Sequence, residues 1–245
     1  MRNLNAVDML NVWEQGLNRS LLQRTLVLLV AAFPEMNPDT IAELSIGSRD
    51  AYLLLLRERL FGSRLVNNAV CPQCAERIEW EQEISDIVVE TSDRPTAQQF
   101  SLERDDYRLC FRLPNSIDIA EVEDSGNAGV ALQQLLSRCI LSAEHAGALI
   151  GIEQLPDHVI QALNQRIEEL DPQAEVRINL TCPDCLHNWD VFFDIASFLW
   201  AEINEWAERM LQTVHKLARA YGWTEREILN LSPVRRQLYL GMVGT

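Results

Sequence analysis

A chain of 245 residues with 47% hydrophobic content is long enough to bury an ordinary core, as one large domain or two modest ones. Its formal charge of −15, with 36 acids against 21 bases and Lys216 as the single lysine, argues against a polyanionic ligand, because a phosphate-binding surface needs clustered Lys and Arg. The acidity lies in the middle: residues 1–70 carry seven acids and seven bases, 71–181 carry 21 and eight, and 182–245 carry eight and six.

The first third reads as helices. Val7, Leu10, Trp13 and Leu17 recur at spacings of three and four and predict a helix with one apolar face. Leu21 to Phe33 is apolar nearly all round, which predicts a deeply buried helix ending before Pro34. A short helix is expected after Asn37-Pro38, and another from a Ser48 cap to Phe61, with Gly62 to end it. The longest apolar runs, Leu26 to Phe33 and Ala51 to Leu56, fall well short of the roughly 18 to 20 residues that cross a bilayer. The amphipathic start, with Asp8 and Glu14, is unlike a secretion signal, so no membrane span and a cytoplasmic location are expected.

From Leu65 to Val89 the pattern becomes extended. Cys71-Pro72-Gln73-Cys74 is followed by Ile78, Trp80 and Ile84, with polar residues between. The layout returns later, where Arg177 to Leu180 leads into Cys182-Pro183-Asp184-Cys185 and then Trp189, Val191 and Phe193. Each cysteine pair reads as the turn of a hairpin. The 107 residues between them (75–181) far exceed an ordinary zinc-ribbon spacer, so an inserted subdomain is expected there. It should contain a strand from Tyr107 to Leu113, helices from Val130 to Leu141 and His158 to Leu170, and a loop from Asp124 to Gly129.

The last segment is helical again. Leu199, Ile203, Trp206, Met210, Val214, Leu217 and Tyr221 form one apolar stripe that Gly222 terminates. Thr224 and Glu227 form a capping box opening a helix through Leu231, and Ser232-Pro233 opens the last helix. The expected fold is therefore α+β and mainly helical. Helical segments at 1–64 and 196–245 are joined by a split four-Cys zinc ribbon, with hairpins at 65–90 and 177–195 and a small α+β subdomain inserted at 91–176.

Two Cys-X-X-Cys pairs supply four soft ligands, the set that one structural zinc ion takes in a tetrahedron, and Cys71, Cys74, Cys182 and Cys185 are the expected ligands. A redox Cys-X-X-Cys needs only one pair in a thioredoxin-like setting, which is missing here. His187 stands two residues past Cys185 and either replaces a ligand, supports a sulfur from outside, or is a surface histidine in a turn. Cys110 and Cys139 read as small core residues. Four thiolates leave no open position for water or substrate, and no His-Glu-X-X-His, Gly-X-Ser-X-Gly or phosphate-cradling glycine loop is present, so no catalytic site and no small-molecule substrate are expected. Glu168, Glu169 and Asp171 read as a solvated helix end. Of the tryptophans, Trp206 lies on the stripe and Trp200 is off it by one position, which places Trp200 on the zinc hairpin or exposes it to a partner.

The run Ile46-Gly47-Ser48-Arg49-Asp50-Ala51, then Leu56-Arg57-Glu58 and Phe61-Gly62, leads straight into the first Cys-Pro-X-Cys. Leu113-Pro114-Asn115-Ser116, the second Cys-Pro-X-Cys, Tyr221-Gly222-Trp223-Thr224-Glu225, Ile228-Leu229, Leu231-Ser232, Arg235-Arg236 and Tyr239-Leu240 follow in order. This succession resembles proteins of contractile phage tails and bacterial contractile injection systems related to the T-even phage baseplate protein, in the subset that carries zinc pairs. The resemblance implies a non-enzymatic protein of the bacterial cytoplasm, built into a baseplate or hub, with tail, baseplate or hub proteins as partners. The Tyr-Gly-Trp-Thr segment also looks like the end of tail-assembly chaperones, which leaves a chaperone absent from the finished particle as the alternative. Trp200, Tyr221, Trp223, Arg235, Arg236 and Tyr239 are the candidate partner-binding residues. A zinc-ribbon nucleic-acid adaptor is the reading from another class, and the acidity of both knuckles and of the insert disfavours it.

Overall fold

The computed structural model describes residues 1–89, 99–123 and 125–243. The expected boundary at 90/91 and Asp124, at the head of the expected loop, lie outside them. The chain opens with α1 (Ala6–Gly16), α2 (Leu21–Ala32), α3 (Pro38–Ala42) and α4 (Ile46–Phe61), then a ribbon of β1 (Arg64–Val70) and β2 (Arg77–Glu83). The insert holds β3 (Phe100–Arg104), β4 (Tyr107–Phe111), α5 (Ser116–Val122), α6 (Ala128–Cys139), β5 (Ile140–His145), β6 (Ala148–Leu149) and α7 (Asp157–Leu170). A second ribbon, β7 (Val176–Thr181) and β8 (Asn188–Phe193), precedes α8 (Ile195–Tyr221), α9 (Glu225–Leu229) and α10 (Pro233–Val243). The mixture of helix with antiparallel sheet is that of an α+β protein, and no described helix is long and apolar enough to cross a membrane.

Two compact units emerge, Met1–Asn37 with Ile195–Thr245, and Pro38–Asp194. In the first, α1 and α2 pack on α8, so the two ends of the sequence meet by helix packing. Asn5 caps α1 and Ser20 caps α2, each in a capping box. The buried face of α1 is Met9, Leu10, Val12 and Gly16, while Val7 and Leu17 are exposed, so the expected stripe is rotated. The cause lies in two anchors: the Trp13 indole donates to Asn204 Oδ1 at 2.9 Å, and Gly16 leaves room for the Trp200 ring, whose Cη2 would stand 2.2 Å from any Cβ there. The expectation of a deeply buried α2 is also corrected. Leu22, Thr25, Leu28, Leu29 and Ala32 are buried, but Leu26, Val27, Val30 and Ala31 are half-exposed along an open groove.

In the second unit, the sheet β3-β4-β5-β6 is antiparallel throughout, and Leu109 stands opposite Leu102 and Ala143. Its core is Leu109, Phe111, Leu136, Ile140, Ala143, Leu155, Val159 and Leu163, with α6 and α7 supplying the helical side. The Asn127 side chain accepts from the Gly129 and Val130 amides, so α6 starts at Ala128, inside the expected loop. It stops at Cys139 because Ile140 is already extended, which moves Leu141 from helix into strand. Arg112 grips the fully buried Asp118 carboxylate bidentately at 2.5 and 2.7 Å, and Arg138 adds a third bond at 2.8 Å. Burial opposes ionisation of Asp118, but these arginines and the Asn115 amide hold its carboxyl below the usual range. The lowered value means that its stabilising contribution is present above the unfolded-state pKa and is lost as pH falls through the folded one.

Helix α4 is tied down at its start. Its cap is Ser45, whose hydroxyl accepts the Ser48 amide, so the expected Ser48 cap is displaced by three residues. The carboxylate of Asp171, 124 residues later than Gly47, accepts the Gly47 amide at 2.9 Å and the Ser45 hydroxyl at 3.1 Å, a negative charge on the positive end of the helix. Asp171 is therefore a buried cap and not part of a solvated face. The turn that follows carries Gln173, also buried, which accepts the Val89 amide and donates to the Ile87 carbonyl, gripping the chain as it leaves β2. Two adjacent pins thus fix the start of α4 and the exit of the first ribbon to the segment that enters the second.

Gly47→Ala is expected to cost about 1 to 3 kcal/mol of stability, because its Cβ would stand 2.2 Å from Asp171 Oδ1 and 2.8 Å from the Ala174 amide nitrogen. Gly241→Ala, in open space within α10, is expected to add up to about 1 kcal/mol. Denaturant midpoints of the two variants check the pair, and equal midpoints would contradict the close packing at Gly47.

Candidate metal centre

Each ribbon is a two-stranded antiparallel hairpin whose turn is a Cys-Pro-X-Cys. The two turns have one geometry. The Cys71 amide donates to Glu76 O (2.8 Å) and the Ala75 amide to Cys71 O (2.9 Å); the Cys182 amide donates to His187 O (2.9 Å) and the Leu186 amide to Cys182 O (3.0 Å). Ala75 and Leu186, each directly after the second cysteine, hold φ at +62°. That region costs a non-glycine residue roughly 1 kcal/mol or more, so both turns carry strain in return for aiming two sulfurs and a fan of amides at one point.

The sulfurs of Cys71, Cys74, Cys182 and Cys185 all lie within 4.8 Å of one another. Across the ribbons Cys71 stands 3.7 Å from Cys185, and Cys74 stands 3.5 Å from Cys182. A regular tetrahedron of Zn–S bonds about 2.3 Å long separates its sulfurs by about 3.8 Å, so the spacing fits zinc with little movement. All six cysteines are free thiols, and among the described residues the four form the one cluster suited to a metal. Cys71 and Cys182 are buried, Cys185 is half-buried and Cys74 is exposed.

The electrostatics suit a cation. Burial pushes the Cys71 thiol up, but the Cys74 and Gln73 amides and the neighbouring thiols outweigh it and bring it down to about 7. The Glu76 amide works to lower Cys74, yet the sulfurs around it, Cys182 first, push its thiol up to about 12. The His187 amide and the Cys74 sulfur favour the Cys185 thiolate, but burial and the sulfurs of Cys182 and Cys71 raise that thiol instead. Thiols this close together oppose one another's ionisation, and a divalent ion among them would remove that opposition. Four sulfurs fill a tetrahedral shell, and such a site stabilises a fold without an open position for water or substrate.

His187 stacks on Trp189 with ring centroids 6.0 Å apart and lies outside the four-sulfur group. Cys139 is buried, and burial together with the Asp118 charge pushes its thiol up to about 11, as fits an inert core residue. Cys110 sits in β4, half-buried, opposite Ser101 and Ser142.

Two of the expected partner-binding residues are corrected. Trp200 is 7% exposed, packed on Gly16 with the Arg24 guanidinium 5.0 Å above its ring, so its ring is buried in the helical core and not open to a partner. Arg236 is buried and donates to Leu229 O at 3.2 Å, closing α9 from within. Tyr221, Trp223 and Tyr239 form one aromatic knot: Tyr221 stacks on Trp223 at 4.6 Å, and Tyr239 meets both edge-on at 5.7 and 4.9 Å. Tyr221 keeps 38% of its surface open, Trp223 and Tyr239 are half-buried, and Arg235 is exposed. Asp171 and Gln173, which position the ribbons, carry no local sequence signal, because what they bind lies 84 to 126 residues away.

A family model described as T4 bacteriophage base plate protein matches residues 21–200. That range holds both ribbons and the insert, and residues 221–240, which carry part of the resemblance read from the sequence, lie beyond it. No curated protein and no solved structure matches the chain significantly.

Changing any one of Cys71, Cys74, Cys182 or Cys185 to Ser is expected to reduce bound zinc from about one per chain toward none, and to lower Tm by roughly 10 °C or more, given that structural zinc contributes several kcal/mol. Cys110→Ser is expected to retain both. Because the bound thiolates would have depressed pKa values, the metal's contribution should be present at neutral pH and lost on acidification. Zinc analysis and melting curves decide it, and full zinc content with an unchanged melt in the four variants would refute the site.

Proposed function

This chain belongs to the T4 bacteriophage base plate protein family, and on that premise we propose that it is a non-enzymatic structural or assembly component of a contractile injection system or phage-tail baseplate or hub, stapled by one structural zinc ion. The observation that carries the reading is the match over 180 of 245 residues. The four-sulfur cluster supports the zinc, since a cation there would relieve the mutual repulsion of four thiolates and hold the two ribbons as one rigid platform. A closed shell of this kind supplies fold energy and no reactive position, which favours docking over catalysis.

The partners in this reading are tail, baseplate or hub proteins, met in the bacterial cytoplasm where the particle is put together. The aromatic knot of Tyr221, Trp223 and Tyr239, with Arg235 beside it, is the partner-binding face proposed on the C-terminal helices. It is rigid, partly open and amphipathic, the character of an interface anchor. The excess of acid makes a basic protein surface a more favourable neighbour than a nucleic acid. A tail-assembly chaperone that leaves before the particle is finished has the same chemistry and is separated only by retention.

Tagged protein is to be isolated from a producing cell as assembled particles and as free protein, and what accompanies each identified by mass spectrometry. A fixed ratio to the other particle proteins is expected for a structural component. Presence only in the free pool with one tail protein would establish the chaperone, and absence of every tail protein from both pools would contradict the proposal.

A further inference from the structure

A helix that is apolar on every side is normally covered on every side. Helix α2, with the sequence LLQRTLVLLVAA, is not: Leu26, Val27, Val30 and Ala31 are half-exposed and form the wall of an open groove of about 300 Å³ whose other side is α1 and the turn after it. From Gln23 to Val30 the wall covers eight residues, a rise of about 10 Å, or two helical turns. The groove lining contains no acid, in a chain that carries 36. Its one charged lining residue is Arg19, exposed and engaged in no ion pair among the described residues. The neighbouring Arg24 is committed elsewhere, donating to the Gly16 and Leu17 carbonyls and covering Trp200.

From this we infer that the groove between α1 and α2 is a docking site for an amphipathic helical segment of another protein, with apolar side chains at i and i+4 against Leu26, Val27 and Val30 and an Asp or Glu one turn away against Arg19. An apolar floor two turns long, with Gln15, Arg19 and Gln23 as its polar end, is the form in which a groove reads the anchors of a helix. Charge decides between occupants. The exposed apolar row of α10, Val234, Leu238 and Met242, has the right spacing, but α10 contains no acid and places Arg235 beside that row, so a second copy would bring cation against cation. An acidic amphipathic helix meets no such opposition, and its carboxylate gains in a groove where water is partly excluded. The groove shares no residue with the ribbon turns or the aromatic knot, and its assignment does not depend on the baseplate reading.

The test uses the full folded chain and two labelled helical peptides of about fourteen residues, each with Leu at i, i+4 and i+7, identical except for Glu or Lys in the turn beside the leucines. Fluorescence anisotropy is expected to show the Glu peptide binding about tenfold more tightly than the Lys peptide, with Arg19→Glu reversing the order. Val30→Asp, at a half-exposed position, should abolish both while leaving the melting curve unchanged, and Ala31→Glu serves if that variant is unstable. Equal binding of the two peptides, no binding of either, or insensitivity to Arg19→Glu would overturn the assignment. So would a concentration-dependent dimer in sedimentation that Val30→Asp dissolves, which would make the occupant a second copy.

Discussion

The constraint on which the second unit turns is that neither of its ribbons can stand alone. A two-stranded hairpin is marginal in water, and among the described residues β1–β2 and β7–β8 each pair with nothing further in their own sheets. Their tips are brought together across 107 residues of intervening chain, and the groups that meet there are four sulfurs. Clips that close long loops remove the most freedom from the unfolded chain. A metal ion on these sulfurs would do so for a loop of about a hundred residues, where the chain-entropy model gives roughly 4 to 5 kcal/mol for a covalent closure.

The bases of the ribbons are held by different means. Asp171 caps α4 through Gly47 and Ser45, and Gln173, two residues on, grips the backbone at Ile87 and Val89. Ile46 and Ser45 also meet Pro114 and Asn115, so two of the sequence segments that carry the family resemblance are neighbours in space. The resemblance thus includes packing determinants: Gly47 because a carboxylate occupies the volume of a side chain, Asn115 because it caps α5. Near them Asp50, buried against Arg49, has a carboxyl that burial raises to about 6, with Asp194 and Asp171 adding to the effect. That penalty is complete above pH 6 and is relieved as pH falls from there to the unfolded value, whereas the contribution of Asp118 is kept across that range and lost only at lower pH, so the two carboxylates act in separate windows.

Much of this was legible in the sequence where the signal is local. The paired cysteines gave the ribbon turns, Gly62 and Gly222 take positive φ where helices α4 and α8 end, and the Thr224–Glu227 capping box opens α9. What was illegible depends on distant partners. Nothing near Asp171 announces that it caps a helix, and Trp200 reads as unplaced until Gly16 supplies the space beneath it. Arg236, in a run of two arginines, has the composition of a surface site and is buried by the turn it closes. The two positive-φ residues after the cysteine pairs are Ala75 and Leu186, where glycine would be the expected signal, so the left-handed step inside each turn was not legible although the turn itself was. The exposure of α2 was misread for the opposite reason: its composition predicts complete burial, and the uncovered wall now asks for a partner.

The central claim is that Cys71, Cys74, Cys182 and Cys185 hold one zinc ion in a closed shell. X-ray absorption at the zinc edge of the purified chain tests it most directly. Four sulfur neighbours at about 2.3 Å and no nitrogen or oxygen in the shell is the predicted result. A shell containing nitrogen or an exchangeable oxygen, or protein that binds no zinc while keeping its ribbons folded, would contradict it.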